Sequence, residues 1–178
     1  GKGRCGEEST FAVTAYRSVG IAARQVYTPR WAHCDDNHAW VEVFVDGEWH
    51  FLGACEPEEV LDTGWFSGPA NRAILIHTRN FSDYVKESNE EYLGKEGALY
   101  YFNHTDFYGR TKLVKILVKD ENGKPAAGAH IAVEILNMAE FFPAAVMIAD
   151  ADGEVQMTLG LGDIRVRAFD GIRRAEAM

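Results

Sequence analysis

Cys5 and His38 are the two residues whose types and positions favour covalent chemistry. A cysteine attacks a carbonyl group only as the thiolate, and a helix N-terminus or a neighbouring histidine stabilises that charge. Cys5 stands at the predicted start of a helix, where free N–H groups of the first turn are able to stabilise an oxyanion. Gly3 and Gly6 on either side of it let a substrate backbone approach closely. Since His38 opens a predicted strand, the pair favours attack by Cys5 with His38 as its base, if the fold brings the two together.

The residues after Cys5 predict an amphipathic helix that extends to Val19 and ends at Gly20. Its apolar positions recur with helical spacing, at Phe11, Ala12, Ala15, Tyr16 and Val19. A short strand is predicted at 21–27, and Thr28-Pro29 ends it because the residue before a proline is conformationally restricted. Cys5 is therefore predicted at the N-terminus of the first helix.

A β-hairpin is predicted around Asp46-Gly47, which favours a two-residue turn between strands at 38–45 and 48–54. The register of such a hairpin pairs Val45 with Glu48, Trp40 with Gly53 and His38 with Cys55. His38 is thus expected at the open end of the hairpin.

The pattern of residue types in the rest of the chain changes near residue 110. Before that point we predict a short helix within 61–73, interrupted at Gly68-Pro69, a strand at 73–77 and a polar surface excursion at 86–97. After it, short β-prone runs alternate with turn residues and no helical pattern is present, at 113–118, 131–135, 155–159 and 164–168. Several short strands of this kind predict a small β-sandwich.

The composition argues against several classes of function. A formal net charge of −9 argues against a nucleic-acid partner, because binding to a phosphate backbone depends on clustered Lys and Arg. No apolar run approaches the roughly 20 residues of a membrane-spanning helix. Cys5, Cys34 and Cys55 are an odd number of cysteines, so at least one thiol is free unless a partner chain pairs with it. Because Gly1 lies only four residues before Cys5, we expect a processed or truncated chain.

Two motifs carry a resemblance to a known family. Gly3-Arg4-Cys5-Gly6-Glu7, a helix, a strand, His38-Ala39-Trp40-Val41-Glu42-Val43, a turn and Trp49 resemble the transglutaminase-like core of peptide:N-glycanases and predicted bacterial cysteine proteases. The resemblance covers roughly residues 3–65. It implies an α+β fold over residues 1–110, an N-terminally truncated papain-like core in which a helix packs on an antiparallel sheet. It also implies a thiol-dependent enzyme.

The family's third catalytic residue is missing from its usual position. In that family an Asp about four residues after the tryptophan of the second hairpin strand orients the histidine, and Gly53 stands there in this chain. Candidates to replace it are Glu56, just past the strand, and Asp35 or Asp36, just before His38. We rank Glu56 first, with a solvated surface carboxylate as the alternative interpretation of this residue.

The C-terminal segment resembles a second family. The runs 120–129 and 160–166 are similar to those of transthyretin-like or carboxypeptidase-regulatory-like β-sandwiches, which implies an all-β module over residues 111–178 with no catalytic motif of its own. Such modules are typical of exported bacterial proteins. The resemblance therefore implies an extracytoplasmic location, periplasmic or secreted.

Other groups of side chains have simpler interpretations. Five possible metal ligands fall in one loop, namely His33, Cys34, Asp35, Asp36 and His38. Without a second cluster they are more typical of a polar loop, so no metal is expected. No organic cofactor is expected either. Cys34 and Cys55 flank the hairpin strands near the same end, where they form either a disulfide or two buried thiols. The four tryptophans mainly serve the core, and one or two of them line a cleft.

These observations lead to two functional hypotheses. The first is a thiol-dependent amide hydrolase or acyl transferase, a cysteine protease in the first instance, with Cys5, His38 and Glu56 as its catalytic residues. Its substrate is a protein or peptide, glycoproteins included, so deglycosylation and crosslinking stay open. The second is a catalytically impaired scaffold or binding module, which Gly53 at the acid position favours. The sequence does not indicate the oligomeric state.

Overall fold

The computed structural model describes residues 3–81 and 90–178 and is mostly β, with 46% strand and 13% helix. One long helix and two single-turn helices are present in the described residues: α1 (Cys5–Ser18), α2 (Ser67–Ala70) and α3 (Thr105–Tyr108). The strands of the first half are β1 (Ala23–Thr28), β2 (His38–Val45), β3 (Glu48–Leu52), β4 (His77–Phe81), β5 (Glu91–Glu96) and β6 (Leu99–Asn103). Those of the second half are β7 (Thr111–Leu117), β8 (His130–Asn137), β9 (Glu140–Ile148), β10 (Glu154–Gly160), β11 (Arg165–Phe169) and β12 (Arg174–Ala177).

The first half forms a six-stranded sheet in the order β3-β2-β1-β4-β6-β5, with every neighbouring pair antiparallel. Helix α1 packs on β1 and β2, and its bounds confirm the predicted helix. The predicted apolar face is wrong in part, because Phe11 and Val19 are 76% and 73% exposed. The face that meets the sheet is rotated away from them and carries Ser9, Ala12, Val13 and Tyr16. A helix on an antiparallel sheet is therefore present, and a papain-like core stays a prediction.

The β2–β3 hairpin confirms the predicted turn. Asp46 and Gly47 both have positive φ angles, 53° and 90°, as a type I′ turn requires, and Val45 pairs with Glu48. Pairing of β2 with β3 ends at Val41 and Leu52. The predicted pairs of His38 with Cys55 and of Trp40 with Gly53 are therefore wrong, because the chain leaves the ladder after Leu52 and bends.

The middle of the chain departs most from the sequence analysis. The predicted strand at 73–77 is displaced, since β4 begins at His77 and residues 73–76 form a buried connection before it. The predicted polar excursion at 86–97 is wrong from residue 91 onward, where β5 lies, and its part up to residue 89 falls outside the described residues. Strand β6 and helix α3 were not predicted.

The second half consists of a two-stranded sheet, β10-β7, and a four-stranded sheet, β12-β11-β8-β9. Four of its strands lie where the sequence analysis expected them, while β9 and β12 were missed. Side chains of both sheets meet in one apolar cluster, among them Val133, Ile135, Met157 and Leu159. This arrangement is consistent with a β-sandwich.

The two halves are in close contact. Ile74 and Leu75 of the first half belong to the same apolar cluster as Met157. Gly160 N donates a hydrogen bond of 2.8 Å to Ile74 O, and a Cβ at Gly160 would lie only 1.9 Å from Ala73 O. Only a glycine permits this approach. The division into domains at 1–110 and 111–178 stays a prediction.

In the described ranges, no helix has both the length and the apolar character needed to cross a membrane.

Candidate active site

Cys5 is the first residue of α1, with a thiol that is partly exposed and not in a disulfide. The first turn is closed by a capping box, in which Arg4 N donates to Glu7 Oε2 at 2.9 Å. Gln25 of β1 ties the same turn to the sheet, since its Nε2 donates to Gly6 O at 2.9 Å and to Ser9 Oγ at 2.7 Å. The sequence thus places a reachable thiol at a fixed helix N-terminus.

His38 is the first residue of β2 and is only 5% exposed. Four aromatic rings surround its imidazole, with centroids at 6.3 Å for Trp31, 5.7 Å for Trp40, 4.8 Å for Trp65 and 5.0 Å for Phe66. Desolvation in this pocket lowers the pKa of His38 below 6.5, although the negative charges of Glu56 and Asp36 raise it in part. His38 is therefore neutral at pH 7, and its buried Nε2 has no hydrogen-bond partner among the described residues.

Cys5 and His38 come to the same end of the sheet but not into contact. His38 pairs with Thr28 at the end of β1, and the first turn of α1 is tied to Gln25, three residues earlier in that strand. Strand alternation then separates them, because Val41 points towards α1 whereas His38 and Trp40 point to the opposite face. Within the described residues, no hydrogen bond joins the Cys5 thiol to the His38 ring. Their pairing as nucleophile and base stays a prediction.

Cys55 follows β3 and lies near the N-terminus of α1. Partial desolvation, a hydrogen bond to Glu8 and the charges of Glu8, Glu56 and Cys5 raise the pKa of Cys55 to about 12, although the residue as a whole is exposed. Cys55 is therefore protonated at neutral pH and unsuited to attack a carbonyl. Cys34 is also exposed and free, so the structure contains neither the disulfide nor the two buried thiols considered for this pair.

Glu56 is an exposed carboxylate that influences His38 without bonding to it. Its Oε1 accepts a hydrogen bond from Trp65 Nε1, and the Trp65 ring covers the imidazole of His38. Its charge also raises the pKa of His38. Glu56 thus acts on His38 through electrostatics and through the placement of one aromatic wall.

Gly53, at the family's acid position, is closed to any larger residue. A Cβ at Gly53 would lie 2.8 Å from Glu56 O and 3.6 Å from the ring of Phe66. An aspartate there requires the backbone at Glu56 to move. The bend after β3 therefore excludes the usual acid and brings Glu56 towards His38 in its place.

The loop before β2 is held by the turn between β8 and β9. Asn137 Nδ2 donates to Trp31 O at 2.8 Å and to Cys34 O at 2.7 Å, and Met138 N donates to Asp35 Oδ1 at 2.7 Å. Asp35 is thereby committed to the turn rather than to His38. The second half of the chain thus positions Trp31, one of the rings that enclose the imidazole. The sequence analysis missed Asn137, because a turn asparagine carries no sign of a contact about a hundred residues away.

A buried carboxylate, Glu42, supports Trp40, another of the rings around His38, through Tyr108. Glu42 is fully buried and contacts Arg24 Nε at 2.7 Å, His104 Nδ1 at 2.8 Å and Tyr108 OH at 2.5 Å. Burial raises the pKa of Glu42, but the hydrogen bond from His104 and the charge of Arg24 outweigh it, so the pKa is lowered overall. Tyr108 OH also accepts a hydrogen bond of 2.8 Å from Trp40 Nε1. The sequence signal that could have indicated this role of Glu42 was its position on the same strand face as His38 and Trp40.

The loop of possible metal ligands does not converge on one point. In the part of the chain that the structure describes, no group of three or more His, Cys, Asp or Glu side chains is arranged to hold a metal ion. Asp36 instead accepts a hydrogen bond of 2.8 Å from Asn37 N.

A family model of the transglutaminase-like superfamily matches residues 1–54 of this chain, which is less than a third of its length. The matched segment includes Cys5, His38 and Gly53 and ends two residues before Glu56. Comparison with curated proteins and with solved structures gave no match. The N-terminal segment, with α1 and the β2–β3 hairpin, is therefore similar to the transglutaminase-like superfamily.

Proposed function

We propose that this chain carries a thiol-dependent site for amide hydrolysis or acyl transfer, with proteolysis as its first activity. Cys5 is the nucleophile, His38 is the base and Glu56 is the carboxylate that supports His38. One observation carries the proposal: a buried, neutral imidazole lies at the same sheet end as a helix N-terminus that begins with a free thiol, and one of its nitrogens has no partner in the described part of the chain.

The proposed reaction has two steps, formation of a thioester and its resolution. His38 takes the proton of the Cys5 thiol as the sulfur bonds to the amide carbon, and returns it to the amine that leaves. Water then attacks the thioester and releases the acid and the thiol, or a second amine attacks and forms a new amide. First-turn N–H groups of α1 stabilise the oxyanion in both steps. The proposal requires a rearrangement at the start of β2 that turns the His38 ring towards the thiol, since the two side chains point to opposite faces of the sheet in the free chain.

The substrate in this proposal is a protein or peptide, glycoproteins included. Deglycosylation of asparagine-linked glycans and protein crosslinking use the same thioester chemistry and differ in the leaving group or the acceptor. An extracytoplasmic location belongs to the proposal as well. It rests on the resemblance of residues 111–178 to modules of exported proteins.

Alkylation of the three cysteines tests the proposal. Iodoacetamide labelling is followed against pH by peptide mass spectrometry, with Cys34 as the internal control because it is exposed and free. We expect Cys5 to be labelled faster than Cys34 at neutral pH, because neutral His38 takes the thiol proton as the sulfur reacts, and to lose this advantage in His38→Ala. Labelling of Cys5 at the rate of Cys34 at every pH contradicts the proposal.

A second candidate function is a scaffold without turnover, and two observations favour it. Gly53 leaves no space for the usual acid, and no hydrogen bond joins Cys5 to His38 within the described residues. The alkylation experiment separates the two functions. A scaffold gives a Cys5 profile that His38→Ala does not change.

A further inference from the structure

A groove of about 860 Å³ runs between the two halves of the chain, away from the His38 pocket. One side is β5, the last strand of the six-stranded sheet, and the other is β9, the last strand of the four-stranded sheet. Residues 92–96 and 142–148 all line it, consecutively rather than every second residue. Since alternate side chains of a strand point to opposite faces, this pattern means that the groove follows the edges of both strands.

Both edges have unused backbone groups. Among the described residues, β5 pairs with β6 alone and β9 pairs with β8 alone. Beyond Pro143, β9 presents apolar residues at this edge, and Val146 and Ile148 are 53% and 64% exposed. Exposed edges of this kind add an extended peptide as a further strand, through main-chain hydrogen bonds.

The charges in the groove favour an acidic ligand. The Arg79 guanidinium lies 3.9 Å from the centre of the Tyr27 ring, and neither Arg79 nor Lys95 forms an ion pair with any described residue. The two glutamates of the groove are engaged, because Glu96 accepts a hydrogen bond of 3.2 Å from Tyr101 OH and Glu154 pairs with Lys115. The hydroxyl of Tyr101 leaves the charge of Glu96 in place, so the groove has, among its described residues, two unpaired cations against one unpaired carboxylate, in a chain whose net charge is −9.

His77 adds a buried polar group to the same groove. It is 5% exposed, and no described residue forms a hydrogen bond with its Nδ1, although the nearby Thr78 backbone raises its pKa in part. Its ring packs against Tyr27 and Tyr101 at centroid distances of 5.7 Å and 5.2 Å. Arg79 is the strand neighbour of Gln25, the residue that holds the first turn of α1. The groove therefore reaches the strand pair that lies beside the first turn of α1.

We propose that this groove binds an extended peptide that carries acidic side chains, with its backbone paired to the edge of β5 or β9 and its carboxylates at Arg79 and Lys95. Docking of the peptide as a substrate rests on the proposed function, whereas the binding itself does not. A peptide held there runs towards the N-terminus of α1, so the groove selects acidic segments for reaction at Cys5.

Binding of two matched peptides tests the proposal. The probes are a fluorescein-labelled octapeptide of alternating valine and glutamate and its counterpart with lysine in place of glutamate, followed by fluorescence anisotropy. We expect the acidic peptide to bind at least about ten-fold more tightly, and N-methylation of alternate peptide nitrogens to weaken it about ten-fold or more. Arg79→Gln and the exposed Lys95→Gln should each weaken it several-fold, whereas Arg72→Gln, an exposed cation outside the groove, should leave it unchanged.

Equal binding of the two peptides overturns the proposal, as does an N-methylated peptide that binds normally or a loss in Arg72→Gln equal to that in Lys95→Gln. Cys5→Ala separates this inference from the proposed function, because it removes the nucleophile and leaves the groove intact. If Cys5→Ala still binds the peptide and Cys5 of the unaltered chain is alkylated no faster than Cys34, the catalytic proposal alone is refuted. Normal Cys5 activation without peptide binding refutes the groove alone.

Discussion

The pocket around His38 and the groove around His77 contain two histidines that are buried to the same degree on opposite faces of one sheet. Each is 5% exposed, and each has a ring nitrogen without a hydrogen-bond partner in residues 3–81 and 90–178. They face opposite ways because His38 pairs with Thr28 and His77 pairs with Tyr27, the residue before it in β1. Burial alone therefore does not distinguish a base from a structural imidazole.

Desolvation is the largest influence on the pKa of both rings, and the neighbouring charges act on the two rings in opposite directions. The charges of Glu56 and Asp36 partly offset the lowering of the His38 pKa by desolvation. At His77, desolvation and the charge of Arg79 both lower the pKa, to about 3. The two carboxylates favour the protonated form of His38, although desolvation still keeps its pKa below 6.5. His77 is kept neutral first by burial and then by the cation beside it.

Exchange of each histidine for alanine gives the largest expected contrast. If the proposed function holds, His38→Ala lowers the rate of amide hydrolysis about 10²- to 10⁴-fold, because it removes the proposed general base. His77→Ala should leave the rate constant at saturating substrate within about three-fold, since His77 does not contact the thiol. The measurement is cleavage of a fluorescently labelled casein, with circular dichroism as the control for folding. Equal losses in the two variants contradict the distinction.

Acid should destabilise the protein through His77 more than through His38. The unfolded imidazole titrates near 6.5 and the folded one near 3, so between these pH values the unfolded chain binds more protons and stability falls as the pH falls. The free energy of unfolding falls by an amount that approaches about 5 kcal/mol by pH 3. Urea denaturation from pH 7 to pH 4 measures it, and His77→Phe should flatten the pH dependence. A slope that His77→Phe leaves unchanged contradicts this assignment.

Asn137→Ala should disturb the His38 pocket and leave the His77 groove unchanged. It removes the two hydrogen bonds that hold the loop of Trp31 and Cys34, at a cost of about 1–3 kcal/mol in the free energy of unfolding. The ring signals of His38 should shift in an NMR spectrum because Trp31 moves, while those of His77 stay in place. Leu136→Ala, an exposed neighbour on the same strand, is the matched control. Shifts at both histidines indicate a general loss of structure instead.

Glu56→Gln should have the smallest effect and the most specific one. Removal of the negative charge lowers the pKa of His38, because Glu56 raises it in the folded chain. The amide still accepts a hydrogen bond from Trp65, so the ring stays over the imidazole. NMR titration of the two histidines measures the change, and Glu58→Gln, an exposed carboxylate nearby, is the control. An unchanged His38 titration removes Glu56 from the proposed site.

Local patterns predicted the elements that frame the candidate site. Helix α1 follows from apolar spacing and Gly20, and the β2–β3 hairpin follows from Asp46-Gly47, whose positive φ angles only a few residue types tolerate. The displaced β4 and the missed β5 and β9 show where such patterns fail. Tyr92 and Leu93 lie among charged residues, and Pro143 interrupts β9, so these strands form because a neighbouring strand pairs with them.

The sequence by itself determined that a thiol heads a helix, that an imidazole opens a strand, and that both belong to a segment similar to transglutaminase-like proteins. These features depend on residues a few positions apart, whose backbone preferences and side-chain periodicity are local. Only the tertiary structure decided which face of the sheet each side chain takes at the site, how Gly53 is closed, and that Asn137 holds the loop of Trp31. Burial and electrostatic environment come from residues up to about a hundred positions away, which no local pattern specifies.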